Sequence, residues 1–251
     1  MSARGLLEGE KRSTRVGVVS RAEAALVIPA AGRGVRMGLG KPKPLVELMN
    51  RPILVWTLES FVSLDLARQT IVAVPENSVD RIGRLIEDHF GSRVGVRVVP
   101  GGTDRQGSVY NGLLALPSDT DIVIIHDAVR PFVEPRTILE SIEAAKAFGA
   151  ATAAIPVVDT IIAVDANVTV RETVDRRDLW AVQTPQTFQY DTILKAHEQA
   201  DNDGVKATDD AELVRRLGLT VKVVRGSPDN IKITGPHDLL IGEQILKKRE
   251  A

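Results

Sequence analysis

With 251 residues, 43% of them hydrophobic, the chain is long enough for one large α/β domain or two small ones and can bury a substantial core. Its 32 Lys and Arg offset 33 Asp and Glu to a net charge of -1, so it carries no global footprint for nucleic acid or an anionic membrane, and any phosphate binding must come from local clusters. Cysteine is absent and histidine occurs only four times, which excludes disulfides, thiolate metal sites and cysteine nucleophiles, argues against structural zinc, and favours a reducing, cytoplasmic setting.

Residues 1–24 are polar, mixed in charge and without periodicity, and read as a disordered leader; Glu8, Glu10 and Glu23 argue against a transit peptide. No apolar segment approaches the roughly 20 residues that span a bilayer, so no membrane partner is expected. An apolar run over 25–28 ends in Pro29 and leads into Gly32, Gly34, Gly38 and Gly40, interspersed with Arg33, Arg36, Lys41 and Lys43. A buried strand that delivers bare backbone N–H groups and cations in this way suits a polyphosphate. The loop fits neither common nucleotide fingerprint. Met37 stands where a dinucleotide fold needs its third Gly or Ala, and Pro42 follows Lys41 where a Walker loop needs Ser or Thr. On this segment alone, a turn made glycine-rich only for its geometry remains open.

Further along, short apolar runs over 70–74, 96–99, 122–126 and 151–157 read as strands buried on both faces. Amphipathic patterns over 53–64, 78–90, 106–116 and 135–148 alternate with them. This rhythm predicts a single three-layer α/β/α Rossmann-like domain with a mostly parallel sheet and ligands at the carboxyl ends of its strands. The rhythm breaks after Pro156. Segments 160–164 and 168–173 flank Asp165-Ala166-Asn167 and predict a protruding β-hairpin, which has no covering helix and so calls for a partner, most economically a second copy of the chain. Helices over 191–201 and 209–217, a strand over 220–224 and a helix from 237 to about 248 complete the chain.

Four other segments carry chemistry. The strand over 122–125 ends in His126-Asp127, placing a carboxylate where it could hold Mg²⁺ against phosphate oxygens, with Arg130 available to a second anion; a turn-capping Asp127 is the alternative. Gly101 and Gly102 permit close backbone approach, and the Ser108 hydroxyl suits the edge of a base. Thr208-Asp209-Asp210 could cap a helix and present Thr208 to an anion. Lys232, between Ile231 and Ile233, is either snorkelling or aimed at a ligand.

Together and in this order, these segments resemble the 2-C-methyl-D-erythritol 4-phosphate cytidylyltransferase family over essentially all of residues 25–247. The matching stretches are Pro29-Ala30-Ala31-Gly32, Arg36-Met37, Pro42-Lys43, Gly101-Gly102 with Arg105 and Ser108, His126 to Pro131, Pro156 to Thr160, Thr173 to Arg176, Thr184-Pro185-Gln186, Thr208-Asp209-Asp210 and Asp229 to Lys232. The resemblance implies one nucleotidyltransferase domain over 25–251 with a dimerisation arm at about 159–180. It implies transfer of the cytidylyl group of CTP to methylerythritol phosphate with Mg²⁺ as cofactor. By similarity, Arg36, Lys43 and Lys232 are catalytic and Asp127 holds the metal. Pro29, Ala30, Ala31, Gly32, Gly102, Thr103, Ser108, Asp127 and Ala128 bind the nucleotide. Arg130, Thr208 and Lys232 bind the sugar phosphate, with Thr160 and Arg176 reaching over from the partner of a homodimer. Pro44 and Thr103 depart from the family pattern, where Gln and an acidic residue are common. A monoester phosphate is already largely ionised at neutral pH, so the site is expected to use cations and no histidine–carboxylate pair. A cytidylyltransferase for another polyol phosphate, such as ribitol 5-phosphate, and a CTP-sensing module without turnover are the competing readings.

Overall fold

The computed structural model describes residues 24–32, 42–65, 69–91 and 95–250. In chain order, β1 (Ala24–Pro29) is followed by a short β2/β3 hairpin (Glu47–Leu48 and Arg51–Pro52), α1 (Ile53–Val62), β4 (Thr70–Val74), α2 (Val79–Phe90), β5 (Val96–Pro100), α3 (Arg105–Leu114), β6 (Ile122–Ile125), α4 (Pro135–Phe148) and β7 (Ala150–Pro156). An arm of β8 (Ile161–Val164) and β9 (Val170–Val174) comes next, then β10 (Trp180–Gln189), α5 (Tyr190–Asn202), α6 (Asp210–Arg216), β11 (Lys222–Arg225) and α7 (Pro236–Glu250).

Among the described residues, seven strands form one sheet in the order β11-β7-β10-β6-β1-β4-β5. Every neighbouring pair is parallel except those made by β10, which runs antiparallel to both β6 and β7. The alternation of side chains along a strand explains why the central runs are apolar throughout. On β1, Leu26 and Ile28 pack with Leu54, Leu58 and Phe61 of α1 and with Ile138 and Ile142 of α4. Ala25 and Val27, on the opposite face, pack with Val109 and Leu113 of α3 and with Ile193 of α5. Helices therefore cover both faces, as the three-layer expectation requires.

Most expected elements form within one or two residues of their anticipated bounds. Ala24 already belongs to β1, one residue before the expected domain start. Strands β2 and β3 are additions to the expected set, as is β10, which fills the sheet position between β6 and β7. The arm leaves the sheet where β7 and β10 are paired, with Trp180 opposite Pro156 and the Val157 N–H donating to the Leu179 carbonyl. Beyond that point β8 and β9 form their own two-stranded antiparallel ribbon, in which Ile161 faces Val174.

Candidate active site

A cavity of about 440 Å³ opens at the carboxyl ends of β1, β5 and β6. Pro29, Ala30, Ala31 and Gly32 form one wall; Gly102, Thr103 and Ser108 form a second; Asp127, Ala128 and Lys232 form a third, and Lys43 also lines the space. Eleven residues anticipated from different parts of the sequence thus share one space. Arg36, Lys41 and the rest of segment 33–41 lie outside the described residues.

Each wall has a local cause. Beyond β1 the Ala30 N–H still donates to the Ala73 carbonyl, so the chain turns into the loop only after the sheet bond is made. Lys43 sits on a single 3-10 turn, Lys43–Leu45, that follows Pro42 and contains Pro44. Proline is tolerated at such a start because its missing N–H would have no partner within the turn. At the second wall, Asp104 caps α3 by accepting from the Gly107 N–H at 2.8 Å. The Ser108 hydroxyl donates to the Asp104 carbonyl (2.7 Å) and accepts from the Gly102 N–H (3.1 Å). Its proton is committed inward, so it faces the cavity as an acceptor. Gly102 is required by this approach: a Cβ there would lie 2.5 Å from the backbone carbon of Gly107, where neither side can give way.

The third wall begins where β6 ends. His126 is buried and its Nε2 lies 3.0 Å from the Arg130 carbonyl, which can only accept, so that nitrogen carries the proton. Nδ1 then accepts from the Thr184 hydroxyl (3.0 Å), whose oxygen accepts from the Asp127 N–H (3.1 Å). Burial pushes the His126 imidazole down to about 4, keeping it neutral and the turn locked. Asp127 is left facing three cations. Arg105 Nε is 3.1 Å from Oδ1; Lys232 Nζ is 2.8 Å and Arg130 Nε 3.5 Å from Oδ2. Burial opposes the charge of Asp127, but Arg105, Lys232 and Arg130 outweigh it and hold the carboxyl well below the usual carboxylate range.

Arg105 is not among the expected site residues, although it stands in the glycine motif three residues before Ser108. It lines the cavity and is held from behind by Asp210, whose Oδ2 lies 2.7 Å from Nη1. A histidine–carboxylate pair lies behind Arg105, away from the cavity lining. It joins His197 Nε2 to Asp210 Oδ1 at 3.1 Å, and neither residue lines the cavity.

Four anticipated substrate-binding residues do not line the cavity. Arg130 stands behind Asp127 and donates to the Asn230 carbonyl at 2.7 Å. Thr208 lies at the start of α6, where its N–H and hydroxyl both donate to Glu212 while Asp209 accepts from the Glu212 N–H, a reciprocal helix cap. Thr160 and Arg176 are exposed on the arm, and Arg176 donates to the Val158 carbonyl of the same arm.

A cavity at the carboxyl edge of a parallel sheet, with glycine-framed backbone on two sides and arginine and lysine crowding one carboxylate on the third, defines a class. It is that of the nucleotidyltransferases, in which positive charge and backbone N–H groups are set against phosphate. Likeness to known proteins narrows this to a family. The family model described as IspD, 2-C-methyl-D-erythritol 4-phosphate cytidylyltransferase, matches residues 24–248, and the chain belongs to that family. The enzyme of that name from Pelotomaculum thermopropionicum is 42% identical over 228 residues, covering 91% of this chain and 96% of its own. That from Bacillus cytotoxicus is 45% identical over 221 residues, covering 88% and 96%. Among solved structures, 2-C-methyl-D-erythritol 4-phosphate cytidylyltransferase of Thermus thermophilus superposes with a TM-score of 0.75 at 34% identity, covering 90% of this chain and 99% of its own. The 4-diphosphocytidyl-2C-methyl-D-erythritol synthase of Anaerococcus prevotii gives 0.79 at 30% identity, covering 92% and 98%.

Proposed function

We propose that the cavity walled by β1, β5 and β6 is where this cytidylyltransferase transfers the cytidylyl group of CTP to 2-C-methyl-D-erythritol 4-phosphate. The products are pyrophosphate and 4-diphosphocytidyl-2-C-methyl-D-erythritol, in non-mevalonate isoprenoid biosynthesis. The observation that carries the site assignment is the convergence of Arg105, Arg130 and Lys232 on Asp127, at the wall of a space that Lys43 also faces.

The acceptor phosphate attacks the α-phosphorus in line and pyrophosphate departs. The nucleophile is already ionised, and the barrier comes from two anions meeting and from charge growing on the transferred group and leaving group. Lys43, Lys232 and Arg36 answer that charge. Ser108 and the backbone of Ala30, Ala31, Gly102 and Thr103 read cytosine, while Pro29, Gly32, Asp127 and Ala128 frame the ribose. Lys232 faces the acceptor from the cavity wall; Arg130 and Thr208, which lie outside that wall, would complete the acceptor site from beside it, with Thr160 and Arg176 of a second copy.

Asp127 is the residue that would hold Mg²⁺. The donor set fits: Asp127 presents a carboxylate at the cavity wall, and Mg²⁺ at nucleotide sites takes one or two carboxylates with water and phosphate oxygens for the rest. When bound, the ion supplies positive charge against the phosphates. Lys232 occupies Oδ2 of Asp127 here, so it must turn toward the incoming phosphates as that oxygen changes partner. The arm supports a homodimer because Val158, Val168 and Val170 are exposed on it. The absence of cysteine from the chain supports a cytoplasmic setting, and among the described residues no helix is long and apolar enough to cross a membrane.

Pyrophosphate release tests the reading. CTP, Mg²⁺ and methylerythritol phosphate together should give turnover, with none when the acceptor is omitted. Faster turnover with ribitol 5-phosphate would reassign the acceptor, and CTP binding without release from either would leave a sensor.

A further inference from the structure

Behind the cavity wall lies a buried pair, His197 and Asp210, that the proposed substrate binding does not use. His197 donates to Oδ1 of Asp210, and Arg105 Nη1 donates to Oδ2 of the same carboxylate. Through Nε, Arg105 donates in turn to Oδ1 of Asp127. Asp210 is 1% exposed and His197 2%, and the ring of His197 stacks on Tyr110 with centroids 5.9 Å apart and planes at 3°. The backbone of Asp210 is pinned as well, its N–H donating at 3.0 Å to Gln186 Oε1 of β10. Three elements thus converge on Asp210, and its one outlet toward the cavity is Arg105.

A guanidinium presents its donors in a rigid planar fork. With Nη1 fixed on Asp210, Nε is aimed at a single oxygen of Asp127, which leaves Oδ2 as the oxygen on which partners can exchange. Oδ2 now bears Lys232 at 2.8 Å, with Arg130 Nε farther off at 3.5 Å; the Lys232 side chain is 40% exposed, whereas the Arg105 side chain is 28% exposed and tied at both ends. A carboxylate free to rotate would offer either oxygen; one held at Oδ1 offers a defined lone pair.

We propose that Asp210, braced by His197, is a positioning residue for cytidylyl transfer: it locks Arg105 onto Oδ1 of Asp127 and so reserves Oδ2 for the divalent cation that accompanies the nucleotide. The proposal rests on the assignment of Asp127 as the metal-holding residue. Asp210 touches no substrate and acts only through Arg105.

The test compares Asp210→Asn, Arg105→Lys, His197→Gln and His197→Phe with the unaltered enzyme by two readouts. The first is calorimetric CTP binding in metal-free buffer and with Mg²⁺. The second is the Mg²⁺ concentration that half-activates pyrophosphate release. In Asp210→Asn and Arg105→Lys, the gain in CTP affinity on adding Mg²⁺ should shrink and half-activation should rise by about tenfold, the scale on which outer groups tune a metal site. Metal-free CTP affinity of Asp210→Asn and of the His197 variants, none of which lines the cavity, should stay within about twofold. His197→Gln, which keeps a donor to Asp210, should remain nearer the unaltered enzyme than His197→Phe. Should Asp210→Asn not fold, Arg105→Lys and the two His197 variants decide between the outcomes by the same readouts. A normal metal response throughout the set would overturn the positioning role. A metal response missing already from the unaltered enzyme would instead overturn the assignment of Asp127, and this proposal with it.

Discussion

Asp127 faces two arginines and a lysine, of which Arg105 is shared with Asp210, so three cations meet two carboxylates at this wall although the whole chain is nearly neutral. Such an excess is tolerable only if an anion is to enter, because unneutralised like charges in a partly buried site repel. Lys43 also lines the cavity and, acting mainly on the transition state, should behave like a lost oxyanion donor when removed. Lys43→Ala is expected to lower turnover by about 10²–10³, or about 3–4 kcal/mol, with an unchanged thermal midpoint; steady-state pyrophosphate release and a melting curve check both. His126 sets a different limit. Its neutral form is favoured in the folded state, from an ordinary 6.5 down to about 4, so the unfolded chain binds more protons in that interval. Stability should therefore be full above pH 6.5 and fall as pH drops toward 4, by on the order of 3 kcal/mol from this group. Urea unfolding of the wild type and His126→Asn across that range should show a steeper slope in the wild type.

At the scale of elements, α3 shows packing overruling propensity. Gly112 sits in the last turn of this helix, where alanine would ordinarily gain up to about 1 kcal/mol. A Cβ there would stand 2.5 Å from Cγ1 of Val27, a buried side chain of β1. Overpacking of that kind costs roughly 1–3 kcal/mol, so Gly112→Ala should be net destabilising, seen as a lower urea midpoint with unchanged helix content by circular dichroism. The same competition explains what the sequence concealed. Strands β1, β4 and β6 were legible because every position is apolar or nearly so. Strand β10 was not, because Gln183, Thr184, Gln186 and Thr187 are buried yet polar, each satisfied by a specific partner instead of by apolar contact. Composition cannot distinguish such a strand from a loop, since its pattern is set by hydrogen bonds to residues remote in the chain. Asp210 was hidden likewise: beside Asp209 it reads as a helix cap, and only the fold brings Arg105 to it. The cavity walls were legible because glycine, proline and a terminal carboxylate mark strand ends locally.

For the whole molecule, the arm is the feature that the sheet leaves without a role. Thr160 and Arg176 are exposed on it and do not line the cavity of their own chain, which is the arrangement expected if they serve a second copy. Arg176→Ala should then raise the KM for methylerythritol phosphate by roughly 10- to 100-fold, the worth of one charge-assisted hydrogen bond. The KM for CTP should change little. Kinetics with each substrate varied in turn, alongside sedimentation, would separate the effects, and a fully active monomer would refute the shared site.

Pro156 and Trp180 are direct partners across the β7–β10 ladder, so everything between them is a detour that departs from and returns to nearly the same point. Antiparallel partners are only about 5 Å apart, a gap that a two-residue Asn-Gly turn can close. A chain shortened at that junction should keep its sheet and still take up CTP by calorimetry, yet fail to transfer it. Nucleotide capture and acceptor choice would then prove to be separable modules, exchangeable between relatives at a single splice.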